Sequence, residues 1–494
     1  MKKYLLYTAA CLLAFTSCDL NINDNPNYPS SGAVTAELIF PAAENAVADV
    51  VGDQMFNYGG FFAQYFEQRP EANQYNILAE LHLDESSNLF DRCYSLIYAG
   101  ALQDLNEIMS RDGVNASDKF ACTVLRAYAL ALVVDNLDKA PYTEALKGNA
   151  NTTPVWEDGQ LVYNGILKEM DDAEAALADD DMTLTDPMLN KSVAQWKGFA
   201  NALRLRLLLR LIDGGVDAAA NEAKVKALVA ADEFFTGDVA WNVYSDAEGQ
   251  QNPWYDSRRQ LGAVNHVAAY PIVSYMTQTG DPRIAYCMEP NAADGIYVGQ
   301  IPGAKTKMLD WTGEEWKNKH VSTIKYDSAK SMPVYLFTQS ELQFLIAEVQ
   351  MRFNKNAAAA KEAYEKGVKN DFSSKGVAGV DEFLAGNTVN WDKAADKLAL
   401  IYKQKWAALF MRDHMEAWSE IRRTDVPATS AASAEAIFND PTKYAAGDMI
   451  VPAVNYIQAG GLAKRVPYPA TARQLNRNTP EAKLLSDRVF WDVK

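Results

Sequence analysis

The 494-residue chain carries 47 Lys and Arg against 64 Asp and Glu, a net charge of −17, with 48% apolar and 11% aromatic residues. That apolar content excludes a disordered chain, and the absence of any basic run longer than Arg258-Arg259 or Arg422-Arg423 excludes the concentrated basic face that nucleic acid requires. The length exceeds one typical domain, but helical repeats grow by adding units, so one large body or two interlocked ones both fit.

The chain opens with Lys2 and Lys3, an apolar run over residues 4–15, and Thr16-Ser17-Cys18. A basic start, a short apolar stretch and small residues before a cysteine describe a bacterial lipoprotein signal. The run is too short to span a bilayer, which needs roughly 20 residues. The pattern predicts a signal peptide over 1–17 and a lipid on Cys18. Residues 19–32 are polar, Asn-rich and contain two prolines, so 18–34 reads as lipidated cysteine plus tether and 35–494 as the folded body. Asp24 stands where a calcium loop needs its turn glycine, and no Cys/His spacing suits zinc, so no metal is expected. Cys93 and Cys122 lie in apolar helical surroundings and read as buried small hydrophobes.

From Thr35 the periodicity is helical: 35–54 and 56–66, then a break at Arg69-Pro70 that opens the polar loop 71–76. Helices follow near 86–110, 117–135, 160–178 and 191–212. The last of these carries Arg204, Arg206 and Arg210 on an otherwise apolar helix, where they should pair with buried carboxylates. Over 236–333 the periodicity fades and Gly, Pro, Asn and aromatics rise, which predicts a loop-rich insertion of the kind that carries binding residues. Helical pairing resumes over 338–371, with the Ala360-x-x-x-Tyr364 spacing of a tetratricopeptide second helix. Residues 401–427 read as one doubly buried helix ended by Thr424, Asp425 and Pro427. Its two apolar stripes are Trp406, Phe410, His414, Ala417, Ile421 and Met411, Met415, Trp418. Within it, Arg412, Glu416 and Glu420 stand at i, i+4 spacing, Trp418 and Arg422 could stack, and Arg422 and Arg423 should pair with Glu420 or Asp425. A last helical stretch is predicted near 480–487. The fold class is mainly α, a tetratricopeptide-like stack of helix pairs with a loop-rich insertion.

Six segments in this order resemble the SusD/RagB family of nutrient-binding outer-membrane lipoproteins: the lipobox ending at Cys18, LRAYALALVVDNLDKAPYTEAL, QWKGFANALRLRLLLRL, SELQFLIAEVQMRF, KQKWAALFMRDHMEAWSEIRRTDVP and RVPYPATARQLNRN. Two departures concern the scaffold: Asp413-His414 where the family commonly has a glycine, and Ala472 where it often has Glu. The resemblance implies a lipid-anchored, surface-exposed protein that binds oligosaccharide and delivers it to a SusC-like TonB-dependent transporter. Capture of peptides for the same kind of transporter is the alternative.

Sugar sites combine flat aromatics that stack on pyranose faces with amides, carboxylates or guanidinium groups for the hydroxyls. Three loops offer that mixture: Asn73 and Tyr75 in 71–76; Trp254, Tyr255 and Arg258 after Gln251-Asn252-Pro253; Trp311 and Trp316 around Gly313-Glu314. Each aromatic could equally anchor its loop to the body. The helix at 401–427 is read as core and contributes no ligand residue. The four histidines are scattered, and neither H-E-x-x-H, G-x-S-x-G nor a Walker loop occurs, so neither catalysis nor a cofactor is expected.

Overall fold

The computed structural model describes residues 34–259, 265–304 and 315–494; Cys18 and Trp311 lie outside them. α1 (Ala36–Asp49) runs through a π-helical segment, Val50–Met55, into α2 (Phe56–Phe62). The predicted second helix therefore ends earlier than residue 66, because Gln64 turns left-handed at φ 53° and Phe66–Gln68 enters a strand. A second continuous run comprises Asp91–Ser95, a π segment Leu96–Leu102 and α3 (Gln103–Ser110).

α4 (Ala116–Leu137) packs on α5 (Gly159–Ala175) and on α6 (Val193–Asp213), with most of the side chains of α4 and α6 buried. A helix the periodicity did not reveal, α7 (Ala218–Ala231), pairs with α6; only Asn221, Val225 and Val229 of it are buried, too thin a stripe to stand out in an Ala-rich stretch. α8 (Gln339–Arg352) and α9 (Ala357–Ser374) form the tightest pair, across which Phe344 packs on Tyr364. This succession of packed pairs is the tetratricopeptide-like stack expected.

The stretch 401–427 is not one helix. α10 (Lys397–Leu409) stops, Phe410 is extended, Met411 is left-handed at φ 59°, and α11 (His414–Thr424) starts afresh. Asp413 caps α11 by accepting from the Glu416 N–H at 3.0 Å, and His414 Nε2 accepts from the Met411 N–H at 3.0 Å. The Asp413-x-x-Glu416 pattern is the local signal for this restart, but the apolar spacing continues through the turn and conceals it. Arg412 consequently leaves the expected i, i+4 row and donates to the Tyr286 hydroxyl and the Met411 and Ser374 carbonyls. The burial expected for Trp406, Phe410, Met415 and Trp418 is found. So is the stack of Arg422 on Trp418, 3.6 Å from guanidinium carbon to ring centre. α11 crosses α2 at Gly59 and Gly60, where a Cβ would come within 2.9 Å of the His414 backbone or 2.4 Å of the Phe66 ring.

Buried ions tie the pairs together. Arg206 binds Glu341 and Arg210 binds Asp135 and Glu416, as the arginine-rich helix predicted, whereas Arg204 reaches the more exposed Asp171 and Glu174. Arg423 bonds Glu420, Glu348 and Asp213, all of them buried or nearly so. Arg422 differs from expectation: it donates to the Asp135 and Lys464 carbonyls, and Asp425 is met by Lys464. Residues 480–487 are not helical, since the Leu485 carbonyl accepts from the Lys464 N–H instead; the helix nearby is Ala470–Leu475, capped by Asp91.

Three two-stranded antiparallel sheets position the rest. β1 (Phe66–Gln68) pairs with the later strand β5 (His266–Ala268) in the register Gln68↔His266, and β2 (Lys139–Pro141) pairs with β3 (Trp156–Asp158). β4 (Val239–Trp241) pairs with β6 (Val334–Phe337), so the chain leaves and re-enters the helical body at adjacent points. A small separate core of Val267, Ile301, Trp316, Val321, Ile437, Phe438 and Ile450 sits under the insertion. Cys93, Cys122 and Cys287 are free and buried, and burial pushes all three thiols well up.

Candidate ligand-binding site

The β1/β5 pair brings the sequence-predicted loops to one place. Beyond Gln68, Arg69 N–H donates to the Asn265 carbonyl at 3.0 Å, and Asn265 Nδ2 donates to Gln74 Oε1 at 2.7 Å. On the far side of β5, Val267 bridges Thr323, which draws in the third loop. There Asn318 and Glu71 exchange backbone-to-side-chain bonds of 3.0 and 3.1 Å. Residues 71–76, 253–258, 265–266 and 315–326 therefore form one cluster at the end of a narrow strand patch, although they are scattered through the sequence.

Within the cluster the candidates divide by exposure. Asn73 and Gln74 are exposed and give the rim its amides. Tyr75, Trp254, Tyr255 and Arg258 lie beneath them, each buried. Trp254 is fully enclosed, stacked on Phe66 at 5.4 Å and packed on Phe56, His266 and Tyr326. Tyr255 stacks on Tyr326 at 4.5 Å. Trp316 is buried in the second core, where its indole N–H donates to Gln300 Oε1 at 2.6 Å and its ring meets Phe438 edge-on. Asn252 caps the short helix Pro253–Arg259 by accepting from the Trp254 and Tyr255 N–H groups, which fixes where these rings stand.

His266, which the sequence offered only as a scattered histidine, is the hub. Its ring lies 4.4 Å from Tyr75 and 4.9 Å from Phe66, and its Nε2 bonds Asn57 Oδ1 at 2.6 Å. Burial, then the positive charge of Arg258, hold it well below the usual histidine range, so it is neutral, and its bond to the Asn57 carbonyl oxygen calls for the proton on Nε2. Asp53, also unforeseen, receives Arg258 Nη2 at 3.1 Å and the Ser257 hydroxyl at 2.7 Å. The strand register and the packing of the 253–259 helix on Val50–Met55 bring these groups together; no local motif marks them.

Four buried polar atoms of this nest have no hydrogen-bond partner among the described residues: Tyr75 Oη, Trp254 Nε1, Arg258 Nε and His266 Nδ1. Most buried polar groups in native proteins are satisfied, so such a concentration marks a place where hydroxyls of a ligand or water would be favourably received. Beside it, burial raises the Glu67 carboxyl to about 8, against bonds donated by the Gln68 and Gly303 N–H groups. Among the described residues no group of three His, Cys, Asp or Glu is placed to hold a metal.

The profile of a family described as "Starch-binding associating with outer membrane" matches residues 26–443. This chain belongs to the SusD-like family. Solved structures share its architecture. A chitin-binding SusD homologue from Flavobacterium johnsoniae is 20% identical over 93% of this chain and 99% of its own, with a TM-score of 0.73. A SusD-like protein from Bacteroides thetaiotaomicron is 21% identical over 92% and 99%, at 0.71. A SusD homologue from Bacteroides uniformis is 22% identical over the same shares, at 0.69. No curated protein matches. Four of the six SusD-like segments recognisable in the sequence fall on the ion-bearing helices α4, α6, α8 and α11, and the two departures have local explanations. Asp413 supplies the α11 cap, and Asp91 rather than a residue at 472 caps the helix after Pro469.

Proposed function

We propose that this SusD-like protein is a surface-exposed, lipid-anchored outer-membrane protein that binds oligosaccharide at the cluster of 71–76, 253–258, 265–266 and 315–326 and hands it to a SusC-like TonB-dependent transporter. The observation that carries the reading is the convergence of amide-rich loops over a nest of unpartnered buried polar atoms. A sugar presents many hydroxyls that both donate and accept, which suits an array holding a guanidinium N–H, a phenol and an imidazole acceptor. The family description and the chitin-binding homologue point to the same ligand class. Asn73, with Gln74 beside it, is assigned to the rim; Tyr75 and Arg258 to the polar floor, with the enclosed Trp254 packed behind it; Trp311 to ring stacking. Tyr255 and Trp316 support the loops from below. Binding without bond cleavage is the expected activity.

The test is calorimetry and affinity electrophoresis with soluble starch, maltoheptaose, chitohexaose and a set of oligopeptides. Binding to a glycan, weakened about tenfold by Asn73→Ala with Gln74→Ala, supports the assignment. Clear binding of oligopeptides with no glycan bound overturns it in favour of peptide capture.

A further inference from the structure

A second exposed aromatic surface lies outside these loops. Tyr456 is 50% exposed, and its ring stacks on that of His82, itself exposed, with centres 3.8 Å apart and planes 12° from parallel. The two come from distant segments joined by the Tyr456 N–H donating to the Glu80 carbonyl at 2.9 Å. The stack lines a groove of about 600 Å³ together with residues 482–486.

Anchoring does not require this stack. The 453–462 segment is already held by backbone bonds from Ala453 to Pro302, Val454 to Gly303 and Tyr456 to Glu80, and by Asn455 Nδ2 to the Gly461 carbonyl. A lone exposed aromatic needs no explanation, but a ring held by face-to-face stacking on a second one presents a fixed, flat, electron-rich outer face along the groove. Around it stand the Asp84 carboxylate, the Gln458 amide and the Lys483 ammonium. Among the described residues, the Tyr456 hydroxyl, Gln458 and Lys483 make no hydrogen bond or ion pair, so donors and an acceptor remain available at the rim. Carboxylates and an ammonium in one groove favour a neutral ligand over a polyanion.

We propose that this groove is a second sugar subsite, which takes a neutral pyranose ring on the open face of Tyr456 and bonds its hydroxyls through Gln458, Asp84 and Lys483. The assignment rests on the carbohydrate reading of the loop cluster. One helical turn, Asn76–Ala79, separates the 71–76 loop from His82 along the chain.

Calorimetry with maltoheptaose and chitohexaose on the full-length protein tests it. Tyr456→Ala should weaken the oligosaccharide that binds by about tenfold, Tyr456→Phe should stay within about twofold of wild type, and the double variant Gln458→Ala, Lys483→Ala should weaken it about fivefold. The double variant replaces exposed side chains only, so it reads the subsite even if the Tyr456→Ala protein melts early. If the wild-type protein binds, Asn73→Ala with Gln74→Ala weakens it, and both groove variants bind like wild type, the subsite is overturned while the loop cluster stands. If the wild-type protein binds neither these two sugars nor soluble starch, both assignments fall.

Discussion

Replacing Arg423 with Met should destabilise the protein by about 3–5 kcal/mol at pH 7. The guanidinium is fully buried and closes five short bonds: Nε to Glu420 Oε1 at 2.8 Å, Nη2 to Glu420 Oε2 and Glu348 Oε2 at 2.6 Å each, and Nη1 to Glu348 Oε1 at 2.8 Å and Asp213 Oδ2 at 2.5 Å. Methionine fills comparable volume but leaves three inward carboxylates facing one another, with Arg352 and Lys405 as the remaining compensation. Those two cations keep the loss toward the lower end of the range. An independent route reaches a similar size. Burial alone would raise the Glu348 carboxyl, but Arg423, with Arg352 behind it, holds it down to about 2 from 4.5. A displacement of that size corresponds to about 3 kcal/mol of stabilisation of the charged form. Because the folded-state value is depressed, this contribution is complete above pH 4.5 and is lost as the pH falls toward 2. Glu420, held well below its usual range against burial by Arg423 and Lys405, acts in the same sense. Urea unfolding of wild type and variant at pH 7, 5 and 3.5 should therefore show a gap that is widest at pH 7 and narrowest at pH 3.5, because in the variant burial raises the unpaired carboxyls and lets them protonate as the pH falls. A gap under about 1 kcal/mol at pH 7, or one that widens in acid, would refute the reasoning.

Trp418→Ala should cost roughly 3–5 kcal/mol in the same assay, since the indole packs on Phe62 at 4.9 Å, bonds the Ala463 carbonyl at 3.2 Å and carries Arg422; Trp418→Phe, which keeps an aromatic ring, should recover at least half. A near-neutral Ala variant would mean that α11 is not held as described. Cys18→Ala should move the folded protein from the membrane to the soluble fraction of fractionated cells, and persistence in the membrane would reject Cys18 as the anchor. His414, kept neutral chiefly by burial with a value near 3, should retain the neutral-imidazole resonance in NMR spectra at pH 5, where an exposed histidine is charged. Its depressed value adds stability above about pH 6.5 that is lost as the pH falls toward 3, so the acid limb of the stability curve should begin before the carboxylates titrate.

The helical class, the pairing of helices, the arginines of α6 and the burial of the aromatic stripes in 401–427 were legible because each follows from spacing along one helix, which chemistry at i, i+3 and i+4 records directly. The restart at Asp413 was written locally as well, but two signals competed and apolar periodicity masked the cap. The candidate loops were also legible by composition. Their fate was not: whether Trp254 faces a ligand or a core depends on Phe56, Phe66 and His266, which belong to other segments. His266, Asp53, His82 and Tyr456 had no local signal at all, since a strand register, Gln68↔His266, the packing of the 253–259 helix on Val50–Met55, and one backbone bond, Tyr456 to Glu80, bring them to their partners. The sequence by itself determined the class of scaffold and the residue types available to a ligand. Tertiary structure decided which of those residues meet, because long-range pairing is set by packing of the whole core and leaves no periodic trace in the chain.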